Sequence, residues 1–172
     1  TQPEITGESN PDRKTIDTLN LYMTVLNFQE ADTRIQDLLK QHKGILISSN
    51  QYKSGNYRRT GDYQFKIPPE ENDVFYKEIK TLGEIESENK GSDDVTKQHT
   101  NIELRMNSLK AQHERLTELL ERATTMADII ALEDKMTQNI TQQEELQAQL
   151  DDLNSQIDYV NYSIQISETL DQ

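Results

Sequence analysis

A change in the spacing of apolar residues predicts the first strand and the first helix. After Phe28 the apolar positions recur every three or four residues, as in an amphipathic helix. Before it they alternate with more polar residues, which is the period of a strand with one buried face. The alternating positions are Leu19, Leu21, Met23 and Val25. Gly44 ends the helical pattern at a position that favours a positive φ.

A hairpin of two further strands is predicted after this helix. Residues 45–47 are Ile-Leu-Ile and begin the second strand. Gly55 and Asn56 supply the turn that joins it to the third strand. The third strand alternates again, with its apolar positions at Tyr63, Phe65 and Ile67. Two strands that are joined by so short a turn pair in antiparallel fashion.

Two prolines stop the third strand and mark the next helix. Pro68 and Pro69 suit the first turn of a helix, and a fourth strand is predicted around Ile85. The order β-α-β-β-α-β over residues 17–91 is that of a ferredoxin-like α+β domain. Right-handed crossovers in this pattern put both helices on one face of an antiparallel sheet.

The chain from Ser92 to Gln172 contains no glycine and no proline, so long helices are predicted there. Residues 92–158 are expected to form an antiparallel helical hairpin of coiled-coil type, because two apolar series recur with heptad spacing. The first series is Val95, His99, Ile102, Met106, Leu109, His113, Leu116, Leu120 and Ala123. The second series is Ile129, Leu132, Met136, Ile140, Leu146, Leu150, Leu153 and Ile157.

The turn of this hairpin sets which residues face each other. Thr124 and Thr125 interrupt the two series, and Thr125 can cap the second helix. In an antiparallel hairpin the residue numbers of two facing positions add up to a nearly constant value. This turn therefore places Leu109 opposite Ile140. Residues 159–168 then alternate once more and are predicted to return to the sheet as a closing strand. The hairpin is therefore predicted to be inserted before the last strand.

Composition narrows the classes of partner. The net charge of -13 disfavours binding to nucleic acid. The hydrophobic share of 33% is low, and the narrow seam of a two-helix hairpin accounts for it. Residues 1–16 are polar and contain Pro and Gly, so a flexible leader is predicted. No stretch approaches the roughly 18 consecutive apolar residues of a membrane span, so any membrane association is expected to use an anchor outside this chain.

Several local motifs resemble a bacterial family, domain of unknown function 4349, that is found in cell-envelope lipoproteins. The resemblance covers residues 19–168. Its motifs are Leu82-Gly83, Asp94-Val95-Thr96, Leu104-Arg105 and Glu114-Arg115-Leu116, together with the stretches ADIIALEDKM and YVNYSIQI. The resemblance implies an extracytoplasmic domain that is anchored to the membrane. The absence of Cys fits an exported Gram-positive protein, so the expected location is the outer face of the cytoplasmic membrane of a Gram-positive bacterium. The family that the chain resembles has no established activity.

Catalytic, cofactor and metal sites are not predicted, and the domain is expected not to be an enzyme. His99 and His113 lie fourteen residues apart on one helix, hence about 21 Å apart, and cannot share a metal ion. The chain has no Cys and no Gly-rich phosphate loop. His99 is interpreted as a polar residue of the seam, with a pH-sensitive contact to Asp151 as the functional alternative.

Binding is the remaining class of function. We expect protein-protein interaction, scaffolding or sensing, with an unknown envelope protein as the partner. Arg122, Met126 and Ile130 are predicted to form a contact patch at the tip of the hairpin. Self-association is a further hypothesis, for which Leu104 and Leu119 are the apolar candidates outside the seam. The alternative function is a small-molecule-binding sensor domain, which predicts a deep pocket with convergent polar groups.

Overall fold

A computed structural model of the chain describes residues 13–53 and 58–169. It is an α+β protein with a five-stranded sheet and four α-helices among these residues. The strands are β1 (Thr15–Val25), β2 (Ile45–Lys53), β3 (Arg59–Ile67), β4 (Glu84–Asp94) and β5 (Val160–Glu168). The helices are α1 (Phe28–Gln41), α2 (Pro69–Ile79), α3 (Thr96–Arg122) and α4 (Met126–Ile157), with a 3₁₀ turn at Lys80–Leu82. Most of the predicted leader, residues 1–12, and the predicted turn at Gly55 and Asn56 lie outside the described residues.

The chain divides into two compact units. One comprises Asp94–Ser155 together with residues 13–14, and the other comprises Thr15–Asp93 together with residues 156–169. The first unit therefore holds α3 and nearly all of α4, whereas the second holds the sheet with α1 and α2. No helix in the described part of the chain has the length and apolar character that crossing a membrane requires.

The sheet has the strand order β2-β3-β5-β1-β4. β5 pairs in parallel with β1, from Asp17 opposite Val160 to Val25 opposite Glu168. β5 also pairs with β3, in antiparallel fashion. The last strand in the described part of the chain is therefore the middle strand of the sheet.

This order corrects the predicted topology. A ferredoxin-like pattern places β1 beside β3 in a wholly antiparallel sheet, whereas here β5 separates these two strands and makes the sheet mixed. The closing strand was predicted, but its place was not, because the alternation of residues 162–166 marks a strand without selecting its neighbours.

The core lies between the sheet and one layer of helices. Phe28 and Ile35 of α1 and Phe75 of α2 are buried in the same cluster as the inward-facing residues of β1, β3 and β5. Three aromatic rings meet at its centre: Phe65 stacks on Tyr162 at 5.1 Å, and Phe75 meets both rings edge-on. Such arrangements add about 0.5 to 1.5 kcal/mol per pair beyond burial. Both helices thus cover one face of the sheet, as predicted.

The end of α1 differs from the prediction. Lys43, not Gly44, has the positive φ, at 59°. Gly44 is needed for another reason: a Cβ there would lie 2.7 Å from Leu39 Cδ2 and 2.9 Å from Ile67 Cδ1. The absence of a side chain lets the chain pass closely from α1 into β2.

The hairpin unit keeps the predicted seam on α3. Every member of the α3 series, from Val95 to Ala123, is buried or half-buried. The predicted cap is also present, since Asp128 N donates to Thr125 Oγ1 at 3.2 Å. α3 has 27 residues and α4 has 32, which correspond to about 40 and 48 Å of helix.

One predicted pair in the seam is wrong. Ile140 is 42% exposed, whereas its neighbour Asn139 is only 2% exposed. Asn139 faces Leu109, and Gln143 takes the next inward position, where it is half-buried. With these two polar residues included, the inward positions of α4 step by three and four throughout, so the heptad spacing excludes Ile140.

Candidate functional site

The predicted tip residues lie at the two helix ends that form the turn of the hairpin. Arg122 is the last residue of α3, and Met126 is the first residue of α4. Met126 is 72% exposed and Ile130 is 52% exposed. They are four residues apart on α4, so they share one face of the helix. Arg122 is exposed as well, and its charge also favours the negative end of the α3 dipole.

The two residues singled out for self-association are exposed. Leu104 and Leu119 both lie on the outside of α3, away from the α4 seam. Fifteen residues separate them, which is about four turns of helix. They therefore form two separate apolar positions and not one contiguous patch.

His99 does not contact Asp151. Its Nε2 lies 2.8 Å from Asn154 Oδ1, and its Nδ1 lies 2.5 Å from Glu103 Oε1. Asp151 instead accepts a hydrogen bond from Gln147 on its own helix. The predicted contact failed because Asp151 lies on the exposed side of α4, whereas Asn154 faces the seam beside Leu153.

A buried histidine that sequence reasoning passed over links α1 to α2. His42 caps the C-terminus of α1. Its Nδ1 lies 2.9 Å from Glu71 Oε2, and its Nε2 lies 3.1 Å from Glu78 Oε2. The hydrogen bond with Glu71 raises the pKa of His42; burial opposes this, and Glu78 adds to the increase. Glu71 and Glu78 are spaced by seven on α2, with Phe75 between them, and this spacing was the available signal.

The geometry of the cluster formed by His42, Glu71 and Glu78 fits a role in holding α1 against α2. Both ring nitrogens of His42 are engaged, and the Phe75 ring meets the imidazole edge-on at 5.8 Å. Within residues 13–53 and 58–169, no group of three or more His, Asp or Glu side chains is arranged to hold a metal ion. The cluster ties the end of α1 to α2 with two charge-assisted contacts.

A cleft of about 440 Å³ opens at the end of β1. The end of β1, the first turns of α1 and the start of β4 line it, with the chain after β5 at its rim. Its lining residues are Thr24, Val25, Leu26, Asn27, Glu30, Ala31, Arg34, Leu82, Gly83, Glu84 and Thr169. Gly83 fits closely here, because a Cβ would lie 2.2 Å from Thr24 O. The carboxyl ends of parallel strands such as β1 and β5 commonly border ligand sites.

The electrostatics of this cleft are mixed. Glu30 and Glu84 contribute carboxylates, and Arg34 contributes a guanidinium. The N-terminus of α1 is already satisfied by the protein itself: Glu30 N donates to Asn27 Oδ1, and Phe28 N donates to Glu168 Oε2. An anion is therefore not drawn to the helix end, and a ligand would be recognised by the side chains.

The comparisons with known proteins agree with the motifs. The family model described as domain of unknown function (DUF4349) matches residues 13–172. No curated protein and no solved structure matches the chain. The matched range covers both units of the chain. The chain belongs to the family of domain of unknown function 4349.

Proposed function

We propose that this domain is a non-enzymatic binding module that contacts an envelope protein through the tip of its helical hairpin. The observation that carries the proposal is the exposure of Met126 and Ile130 on one face at the start of α4. Covering two such side chains contributes roughly 1.5 to 3 kcal/mol each when burial is complete. The tip is therefore a place where a partner gains binding energy.

The hairpin suits this role because it presents the tip on a rigid support. The seam of buried and half-buried residues and the capped turn fix the direction of the first turn of α4. Binding surfaces on well-ordered helices lose less conformational entropy on association than those on loops. Scaffolding and sensing both need such a fixed contact point.

The charge of α4 favours a partner with basic residues. α4 contains seven acidic residues and one basic residue, Lys135. Complementary charge raises the rate of association and aids partner selection. We infer that the partner carries an apolar contact for Met126 and Ile130, flanked by Lys or Arg.

The proposed location is the extracytoplasmic face of the cell envelope, with an anchor outside these residues. The resemblance to envelope lipoproteins supports this location. The partner is accordingly expected to be an envelope protein.

Photocrosslinking tests the proposal. A photoreactive amino acid at position 126 should give a discrete crosslinked product in cells that make the full-length protein, whereas the same group at Val74, which is exposed on α2, should not. The identified partner should then bind the purified domain, and Ile130→Glu should weaken that binding about tenfold or more.

Leu104→Glu is the matched control, since it adds the same charge at an exposed leucine away from the tip. Equal weakening by both variants would assign the effect to charge and contradict a docking role for the tip. A crosslink that forms equally at positions 126 and 74 would contradict it as well.

The cleft at the end of β1 favours a second candidate, the small-molecule-binding sensor. Its volume of about 440 Å³ is in the range of ligand pockets. Arg34 and Glu84 supply charges of both signs around Val25 and Leu82, so a zwitterionic or amphipathic metabolite fits its chemistry. A thermal-shift screen with amino acids and short peptides tests this candidate. A stabilising ligand should lose its effect with Arg34→Ala and keep it with Lys40→Ala, an exposed site on the same helix outside the cleft.

A further inference from the structure

β2 is an edge strand with apolar residues on its surface. It pairs with β3 and with no other described strand, so its outer edge is free in the described part of the chain. All nine of its residues are exposed. Three consecutive large apolar residues, Ile45, Leu46 and Ile47, begin the strand, and Ile47 is 55% exposed. A long exposed edge of this kind is a template for pairing with another strand.

The opposite edge of the sheet is built differently. β4 contains five acidic residues and one lysine in eleven positions. Charged side chains of this density are a common protection against unwanted strand pairing. β2 has no acidic residue and one lysine, Lys53, at its end. The two edge strands of the sheet therefore differ in their density of charged side chains, which is the property that discourages the addition of another strand.

The ladder of β2 is regular where a new strand would pair. Residues 48–53 pair one-to-one with β3, from Ser48 opposite Gln64 to Lys53 opposite Arg59. Ile47 is the extra residue of a bulge, because the register passes from Leu46 directly to Ser48. An added strand would therefore find six regular positions that end at Lys53, next to an apolar segment at residues 45–47.

The charge of the β2–β3 hairpin itself favours an acidic occupant. The hairpin from Ile45 to Ile67 contains four basic residues, Lys53, Arg58, Arg59 and Lys66, and one acidic residue, Asp62. The chain as a whole has a net charge of -13. Two copies of the chain repel each other, whereas a short acidic segment is attracted to the β2–β3 hairpin.

We propose that the free edge of β2 is a docking site for an extended, acidic segment of another protein, which adds to the sheet as a sixth strand. Backbone hydrogen bonds to residues 48–53 hold the segment, as in other cases of strand addition. Apolar side chains of the segment cover Ile45 and Ile47, and its acidic end lies beside Lys53 and Arg59. The surface is separate from the hairpin tip, so this site goes beyond the proposed function.

The test uses a defined peptide as the probe. A fluorescein-labelled peptide of alternating valine and threonine that ends in two aspartates is titrated with the full chain and followed by anisotropy. We expect saturable binding that weakens as salt is raised. The same peptide with two lysines in place of the aspartates should bind at least about tenfold more weakly. A version with a central proline should not bind.

Variants then locate the binding. Ile47→Lys should weaken binding of the acidic peptide about tenfold or more, because the charge must be buried under the added strand. Ile47 lies in the bulge, so the change leaves the β2–β3 pairs intact. Val74→Lys is the matched control, since Val74 is 53% exposed on α2, and it should leave binding unchanged. Ile130→Glu should also leave it unchanged, which separates this site from the hairpin tip.

Three outcomes would overturn the proposal. The first is that none of the peptides binds, and the second is that acidic and basic peptides bind equally. The third is sedimentation of the chain as a dimer that Ile47→Lys dissociates, since that result would give the edge to a second copy. A circular-dichroism melting curve of each variant confirms that it is folded.

Discussion

Asn139 donates a hydrogen bond from Nδ2 to the carbonyl oxygen of Leu109 across the helical hairpin, at 2.9 Å. The same nitrogen lies 3.1 Å from Gln112 Oε1, and Gln143 Nε2 donates to Asn139 Oδ1 at 2.6 Å. A polar layer thus interrupts the apolar seam near its middle. Polar residues at such positions are known to select one register of a coiled coil at some cost in stability.

The first prediction concerns this polar layer. Asn139→Ala should lower the free energy of unfolding of the hairpin by about 1 to 3 kcal/mol, because Gln143 and Gln112 lose their buried partner. Urea denaturation followed by helical circular dichroism measures the loss. Ile140→Ala is the matched control and should cost less than about 0.5 kcal/mol, since Ile140 lies outside the seam. A larger loss for Ile140→Ala would restore the pairing of Leu109 with Ile140.

The second prediction concerns His42. Its pKa is raised in the folded protein by the carboxylates of Glu71 and Glu78. Its contribution to stability is therefore fully present below the unfolded pKa of about 6.5 and is lost as pH rises through the folded pKa. The difference in free energy of unfolding between wild type and His42→Gln should shrink as pH increases from about 6 to about 9.

Chemical denaturation at several pH values measures this difference. Glu71→Gln is the second variant, and replacing His42 in that background should give a smaller pH-dependent effect, because the largest cause of the raised pKa is gone. A difference that stays constant with pH, or that grows as pH rises, would contradict the charged pairing of His42 with the two glutamates.

The third prediction concerns two glycines, Gly83 directly before β4 and Gly91 within β4. Gly83→Ala should destabilise the sheet unit by about 1 to 3 kcal/mol, because the new Cβ would meet the backbone oxygen of Thr24. Gly91→Ala should be milder, since its Cβ would meet Thr18 Oγ1, a side-chain atom, at 2.9 Å. Thermal melting of the two variants tests the comparison. Equal melting temperatures would show that β1 shifts easily to make room at Gly83.

The fourth prediction concerns the independence of the two units. Replacing residues 107–142 with a tight turn should leave the sheet unit folded, because β5 is still present to fill the gap between β1 and β3. Ending the chain at residue 158 should unfold it, because Ile164, Ile166 and Tyr162 leave the core. Near-ultraviolet circular dichroism and amide hydrogen exchange distinguish the two results. Loss of the sheet in the shortened hairpin would mean that the units depend on each other for stability.

Local patterns predicted the elements well but not their long-range partners. Alternation and heptad spacing identified β1, the seam of α3 and the cap at Thr125, because each of these depends on residues that are near in sequence. Asn139 was missed since a polar residue in a seam carries no apolar signal. The pairing of His42 with Glu71 and Glu78 needs the contact between α1 and α2, which no single helix encodes.

The exposed residues also divide into features that the local sequence predicts and features that depend on long-range pairing. Met126 and Ile130 are exposed at the start of α4, and the end of a helical pattern is a local signal, whereas their role as a contact patch stays a prediction. Ile45, Leu46 and Ile47 predicted a strand, and they form one, but alternation gives no information on whether a strand lies at an edge. The edge position of β2 depends on where β5 pairs, and that pairing joins residues far apart in the chain.

The position of β5 also imposes an order on how the protein is made. During synthesis β1 and β3 leave the ribosome long before residues 160–168, and their shared neighbour does not yet exist. We expect the inner edges of both strands to lack this partner while the whole of α3 and α4 is being translated. Contacts between residues so distant in sequence form slowly, and unpaired edges in that interval are prone to pair with other chains. Rapid local folding of the helical hairpin brings β5 to the gap soonest, so slow translation within residues 96–157 should increase aggregation of the nascent chain.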